Sequence, residues 1–409
     1  MANKKSSSLA NKVKQKVKQK VRQKTEKEVK KVVRKIPLKY KIAALIVLLL
    51  CVVSTFFLPE DPLYESLAKP HDMILAVRNR TIRALHLPIS CYGDHAQVLT
   101  AGRDPVMIYF APSPVICPAL CEFINNAVST IDLCAYDLKH HAIADALIHA
   151  KNRGIKVRIV TDSDYMKNDA ISRLSQAGIP VVQDRSPSLM HNKFVIVDSR
   201  YVWTGSYNLT YNCTEKNDNN AISFESPEIA AGYQKRFEQY WNQKFSTKGE
   251  VLQDSKQTFI GKIPAQYAFS PVDQVEKILL DQLSNAEKKV DIMAFSFTGA
   301  KLAVKLRELM RKGVKVRCIF DVGQSKNKAS RDEYLKKIGA KVYYSPNRKG
   351  KLHHKVMIID DKTVITGSYN FSKNAASRND ENILIVHSTS IAAHYTREMN
   401  RCIRGIKGY

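Results

Sequence analysis

The amino-acid sequence predicts an α/β protein of two homologous halves, preceded by a single membrane-spanning helix. Three observations predict it. The chain repeats: Ile131–Tyr136 reads IDLCAY and Val290–Phe295 reads VDIMAF, while Arg153–Asp162 reads RGIKVRIVTD and Lys312–Asp321 reads KGVKVRCIFD, at the same offset. Each unit places a helical stretch, Ala142–Asn152 or Ala300–Arg311, between two β-rich apolar runs, the pattern of a βαβ unit. Residues 42–58 carry no charge.

Read in order, residues 1–41 form a basic tail. It holds 16 Lys and Arg against Glu26 and Glu28, about half of a net charge of +27. Val13, Val17 and Val21 recur every four residues, which predicts a basic helix able to lie on an anionic leaflet or a solvated tail. A charge of this size implies an acidic partner: nucleic acid, an anionic membrane or a phosphate-bearing substrate. Residues 42–58 have the minimum length of a spanning helix. A cleaved signal peptide is disfavoured by the long basic region before it and by Pro59-Glu60-Asp61 after it. The charge asymmetry puts the tail in the cytoplasm and the large C-terminal part on the far side of the membrane. Residues 59–104 read as a connector, 105–246 as the first domain and 257–405 as the second, with a polar linker at 248–256. A helix from Glu228 to about Gln243 is expected to close the first half, and a shorter one near Ile391–Cys402 the second.

One constellation carries chemistry. His191-Asn-Lys193, four apolar residues, Asp198, six residues and Gly205-Ser206-Tyr207-Asn208 recur at identical spacing as His353-His-Lys355, Asp360 and Gly367-Ser368-Tyr369-Asn370. On a strand, residues i and i+2 share a face, so His191 projects with Lys193 and His353 with Lys355. The following strand returns through a turn at the Asp and brings Ser206 and Asn208, or Ser368 and Asn370, to the same end. Gly permits close backbone approach there. Two facing halves then make a pocket with two imidazoles and two ammonium groups. The lysines neutralise a phosphodiester and the charge developing on it, one His attacks phosphorus and the other protonates the leaving oxygen. The cations being supplied, no metal or cofactor is expected.

This doubled HxK(x)4D(x)6GSxN pattern resembles the signature of the phospholipase D superfamily over residues 105–400. The first half, through RIVTDSDYM and MHNKFVIVD, is most similar to the branch of bacterial endonucleases and mitochondrial cardiolipin hydrolase. The resemblance implies two pseudo-symmetric α-β-α domains with mixed sheets and an active site at their interface, so that a monomer suffices for one site. It implies a phosphohistidine on His191, with His353 as general acid and then base. Lys193, Lys355, Asn208 and Asn370 would bind phosphate with support from Ser206 and Ser368, and Asp198 and Asp360 would shape the turn and core. Family members commonly carry an acidic residue after the GSxN that orients a His. Here Glu381 fills that position in the second half and Asn219 in the first, and a crossed pairing of Glu381 with His191 is expected.

The remaining features have plainer readings. Trp203 reads as core. His140 and His141 read as a surface or capping pair; Cys51 lies in the apolar run and the other seven cysteines read as free core thiols, with a disulfide of Cys117 or a metal site as the alternative. The run Lys326, Lys328, Arg331, Arg348, Lys349, Lys351 reads as a solvated face, or as a path for a phosphate-rich substrate. The membrane segment favours a phospholipid substrate. The net charge favours nucleic acid; a catalytically silent membrane scaffold, against which two intact motifs argue, and phosphatidyl transfer are further readings.

Overall fold

The structure, a computed structural model, describes residues 96–101, 104–252, 257–345 and 349–406. The basic tail, the apolar segment 42–58 and most of the connector lie outside the described residues. So do Cys51, Cys91 and residues 253–256 of the linker.

Two eight-stranded mixed sheets repeat one topology. The first contains β1 (Ala96–Ala101), β2 (Asp104–Ala111), β3 (Thr130–Ala135), β4 (Lys156–Thr161), β5 (Val181–Gln183), β6 (Lys193–Val197), β7 (Tyr201–Gly205) and β8 (Asn219–Glu225), in the spatial order β1-β2-β8-β7-β6-β3-β4-β5. The second contains β9 (Thr258–Ile260), β10 (Ile263–Ser270), β11 (Lys289–Ala294), β12 (Lys315–Phe320), β13 (Lys341–Tyr344), β14 (Lys355–Ile359), β15 (Thr363–Gly367) and β16 (Glu381–His387). Its order, β13-β12-β11-β14-β15-β16-β10-β9, is the same sequence of neighbours. Strands β3-β4-β5 and β11-β12-β13 run parallel, and the other pairings are antiparallel.

Alternation along the strands sorts side chains into layers. In β6, Phe194 and Ile196 face a central core shared by both halves, whereas Val195 and Val197 face an outer core under helices α1 (Ile116–Asn125) and α2 (His141–Asn152). The second half repeats this with an outer core under α4 (Val275–Ser284) and α5 (Ala300–Arg311). Helices α3 (Pro227–Trp241) and α6 (Thr389–Arg404) contribute Tyr233, Phe237, Tyr240, Tyr395 and Met399 to the central core. Ser226 and Ser388 start these two helices alike, each accepting the N–H three residues on, a cap worth about 1 kcal/mol.

Three expectations are corrected. The first domain begins before residue 105, because Ala96–Ala101 pairs antiparallel with β2 as an edge strand. An edge strand needs little apolar alternation, so its sequence pattern is weak. The closing helix of the second half is not the shorter one: it has 16 residues against 15, because the Ser388 cap starts it at Thr389. The linker begins with a short turn of helix, Ser246–Lys248. Among the described residues, Cys117, Cys121, Cys134, Cys213, Cys318 and Cys402 are free thiols.

Candidate active site

Each half delivers its His-x-Lys through a hairpin, β6–β7 or β14–β15. The turns place Asp198 and Asp360 at φ 54° and 52°, a left-handed conformation that Asp tolerates better than most residues. The Asp198 carboxylate accepts the N–H groups of Val128, Ser129 and Thr130. Asp360 accepts those of Glu287, Lys288 and Lys289. Partial burial opposes ionisation, but these donors outweigh it and hold both carboxyls below the usual range. Both aspartates sit at the hairpin end remote from Lys193 and Lys355. They brace the loop before the central strand and do not reach the pocket.

At the other end the two halves interlock. The His191 N–H donates to the Asp380 carbonyl at 2.9 Å, and the His353 N–H to that of Asp218 at 2.8 Å. His191 Nδ1 meets Glu381 Oε2 at 2.7 Å and His353 Nδ1 meets Asn219 Oδ1 at 2.7 Å. Each imidazole is thus oriented by the opposite half: by a carboxylate for His191, by a neutral amide for His353. With Nδ1–H committed to those oxygens, Nε2 of each ring keeps its lone pair. Lys193 and Lys355 donate to the carbonyls of His191 and His353. Tyr136 lies edge-on to His191 with Lys193 over its ring, and Phe295 does the same for His353 and Lys355. The alternate residues point into the central layer, where Asn192 donates to Tyr240 and His354 meets Glu398 at 3.0 Å. A symmetric pair seals the interface: Asn220 Nδ2 to Thr366 Oγ1 at 2.6 Å and Asn382 Nδ2 to Thr204 Oγ1 at 2.7 Å.

Burial sets the protonation of this cluster. It holds both imidazoles well below their usual 6.5, and the ammonium groups of Lys193 and Lys355 press in the same direction. Burial lowers Lys193 to about 7 and Lys355 well below its usual value, and pushes Glu381 up to about 8. Burial thus opposes charge of either sign, and the Glu381 carboxylate and the lysine ammonium groups favour one another's ionisation. An entering phosphodiester anion favours both ammonium groups.

Of the residues singled out from sequence, His191, His353, Lys193, Lys355 and Glu381 converge. Ser206 and Ser368 do not face the pocket. Both are fully buried behind the imidazoles. Ser206 Oγ donates to Asn219 and Asn220, and Ser368 Oγ accepts the Asn382 N–H at 2.9 Å. They hold the residues that hold the histidines. Asn208 and Asn370 are partly exposed, each with a buried side-chain oxygen lacking a hydrogen-bond partner. Tyr136 and Phe295 went unrecognised as pocket residues, although each ends a repeated hexapeptide. Trp203 stacks on Tyr109 in the outer core. His140 stacks on Tyr211, and His141 pairs with Asp169 at 2.9 Å.

Among the described residues, one buried trio, His354, Glu398 and Cys402, brings ligating atoms within 4.8 Å of one another. Arg401 already donates to both Glu398 oxygens at 2.7 Å, so a cation occupies that carboxylate.

A family model described as "Cardiolipin synthase, PLD-like domain" matches residues 120–241 and 279–403, one stretch in each half and more than half of the chain. The chain belongs to this phospholipase D-like family. Its matches to curated relatives cover about a third of it, the length of one half. The mitochondrial cardiolipin hydrolase of Chlamydomonas reinhardtii is 30% identical over 135 residues, 32% of this chain and 60% of the relative. That of Xenopus tropicalis is 35% identical over 34% of this chain and 79% of the relative. A phospholipase D of Rickettsia conorii is 33% identical over 34% of this chain and 70% of the relative. The match thus spans less than two thirds of the Chlamydomonas protein. The crystal structure of phosphatidylserine synthase from Haemophilus influenzae covers 72% of this chain and 85% of its own at TM-score 0.58 and 16% identity, a likeness of fold.

Proposed function

We propose that this chain is a membrane-anchored phosphodiesterase that hydrolyses phospholipids through a phosphohistidine. The observation that carries the reading is the unequal support of the two imidazoles, Glu381 behind His191 and Asn219 behind His353. Attack by His191 Nε2 forms a P–N bond and puts positive charge on the ring, which a buried carboxylate stabilises. The P–O bond to the leaving group breaks, its electron pair stays on oxygen, and His353 Nε2–H protonates that oxygen. The bound phosphodiester's negative charge raises the affinity of His353 for the proton it donates. Water then attacks phosphorus, returns a proton to His353 Nε2 and releases His191 with its lone pair. The products are a phosphate monoester and an alcohol. Lys193, Lys355, Asn208 and Asn370 hold the non-bridging oxygens.

A lipid substrate is favoured by the relatives, described as cardiolipin hydrolases and phospholipases D, and by the uncharged segment 42–58 beside a basic tail. Among the described residues no helix is long and apolar enough to cross a membrane, so the anchor rests on that segment. It would place the tail in the cytoplasm and both catalytic halves across the membrane. The test presents the full chain and its His191→Ala variant with liposomes of phosphatidylcholine and cardiolipin, and with single-stranded DNA and RNA, all with chelator. Release of phosphatidate by wild type alone supports the proposal. Cleavage of nucleic acid alone replaces it with an endonuclease.

A further inference from the structure

The two lips of the pocket have the same backbone and different chemistry. Two residues before each catalytic histidine, Leu189 and Lys351 occupy equivalent positions. The N–H of Leu189 donates to Asn379 Oδ1 and its carbonyl accepts from Asp380. The N–H of Lys351 donates to Asn217 Oδ1 and its carbonyl accepts from Asp218. Gly350 lets the chain pass against the Lys216 carbonyl, where any Cβ would collide. Lys351 is thus fixed by the opposite half, and its side chain is exposed.

Its ammonium lies 5.6 Å from the Phe295 ring centroid, on the same ring that Lys355 approaches at 5.0 Å and beside which His353 packs. Among the described residues no carboxylate forms an ion pair with Lys351. The adjoining loops extend the contrast. Asp321 caps the turn Val322–Ser325 and accepts the Leu352 N–H at 3.1 Å, tying the loop of Lys326 and Lys328 to this lip. Asp162 ties the matching first-half loop to Met190 in the same way, but there Asp164 offsets Lys167. On the first side Arg185 is also matched by Asp184, whereas no acidic residue neighbours Lys349 and Lys351 in the sequence before His353, so one lip is net basic and the other neutral by count.

We infer that the His353 lip is a second phosphate subsite, built on Lys351 with Lys326 and Lys328, which receives the departing group. The inference rests on the proposed reading, in which His353 protonates the leaving oxygen and the departing group lies on its side. The favoured substrate is then a glycerophospholipid whose expelled alcohol carries its own phosphate. A short glycerol bridge suits two phosphates shared between Lys355 and Lys351, which approach one ring. The neutral lip at Leu189 takes no second anion.

The test uses the full chain in zwitterionic detergent, wild type, Lys351→Leu and the triple variant K326Q/K328Q/K351Q. Calorimetry compares glycerol 1,3-bisphosphate with glycerol 3-phosphate. Wild type is expected to bind the bisphosphate about tenfold more tightly, and Lys351→Leu to remove most of that preference. All three proteins keep the basic tail, so nonspecific binding cancels. Equal affinity for the two ligands in wild type, or a preference retained in the triple variant, overturns the subsite. A second arm measures hydrolysis of cardiolipin against phosphatidylglycerol in vesicles of matched surface charge. The departing groups are phosphatidylglycerol and glycerol, and the rate ratio should fall about tenfold in Lys351→Leu. If wild type keeps the bisphosphate preference but cleaves oligonucleotides and no lipid, the lipid assignment is overturned and the subsite belongs to a nucleic-acid phosphodiester.

Discussion

Replacing Glu381 with Gln separates electrostatic support of His191 from simple orientation. Glu381 is fully buried, with Oε2 2.7 Å from His191 Nδ1. Gln matches its shape and can still accept the Nδ1–H, but it carries no charge to offset the cation formed when His191 bonds phosphorus. Losing a carboxylate that orients a histidine costs about 10- to 100-fold in supporting roles and more where the ring changes charge or tautomer. A loss of about 100- to 1,000-fold in kcat is expected, or about 3–4 kcal/mol at the transition state. Asn219→Ala removes only a neutral acceptor from His353 and should cost about tenfold. Single-turnover quench experiments would follow phosphoenzyme formation, steady-state assays would separate kcat from KM, and thermal melts would check the fold. Equal losses in the two variants, a Glu381→Gln defect confined to KM, or a phosphohistidine mapped to His353 would refute the assignment.

Other perturbations have definite expected outcomes. Binding a phosphodiester needs the Lys193 ammonium, and burial lowers that group to about 7, so kcat/KM should fall as pH rises through 7. His191, held well below 6.5, should give no acid limb near that pH. Lys193→Arg should lose the alkaline limb, because guanidinium does not titrate there, and a flat wild-type profile across that range would contradict this. Asp198→Ala strips the acceptor from Val128, Ser129 and Thr130 and should cost about 2 kcal/mol in urea melts. Because the folded Asp198 pKa is depressed, its stabilisation is present above the ordinary carboxylate range and is lost as pH falls through the folded value. Loss of activity without loss of stability would contradict this structural role for Asp198. Gly205→Ala would force a Cβ onto the Asn220 carbonyl at φ 148°, and a cost of about 1–3 kcal/mol is expected; an unchanged melting temperature would argue against close approach. Arg401→Met leaves buried Glu398 and Asp218 without their guanidinium. Since Arg401 is itself 44% exposed, about 2 kcal/mol is expected after screening.

Much of the site is legible in sequence because a β-hairpin transmits spacing directly into geometry. His191 and His353 lie two residues before the starts of β6 and β14, in step with Lys193 and Lys355, and Asp and Gly mark the turn and the close approach. The side chains that spacing could not place are those whose direction depends on the opposite half. Ser206 and Ser368 follow Gly205 and Gly367 into the interface, where Asn219, Asn220 and Asn382 claim their hydroxyls. The edge strand β1 is illegible for another reason: its residues, AQVLTA, hold too little alternation to distinguish a strand from a connector. The second closing helix was cut short because its ends are set by the Ser388 cap and by late contacts of Cys402 and Ile403 with the central core.

Duplication alone would give two equivalent histidines and no direction to the reaction. In-line displacement needs a nucleophile on one side of phosphorus and a proton donor on the other, so the pseudo-two-fold supplies the geometry and leaves the roles undecided. Substitutions at equivalent positions decide them. In the proposed mechanism, Glu381 against Asn219 makes His191 the better-supported nucleophile. Tyr136 against Phe295 gives the first half a ring whose hydroxyl meets Tyr165 at 3.4 Å, where the second has only an apolar ring. Leu189 against Lys351 gives the departing group a cation on the His353 side alone. All three differences lie next to a strand end, two residues from a catalytic histidine or directly behind an imidazole, where a small change alters chemistry without disturbing the hairpins. The two sheets can therefore remain nearly superimposable in topology while the chemistry between them becomes directional.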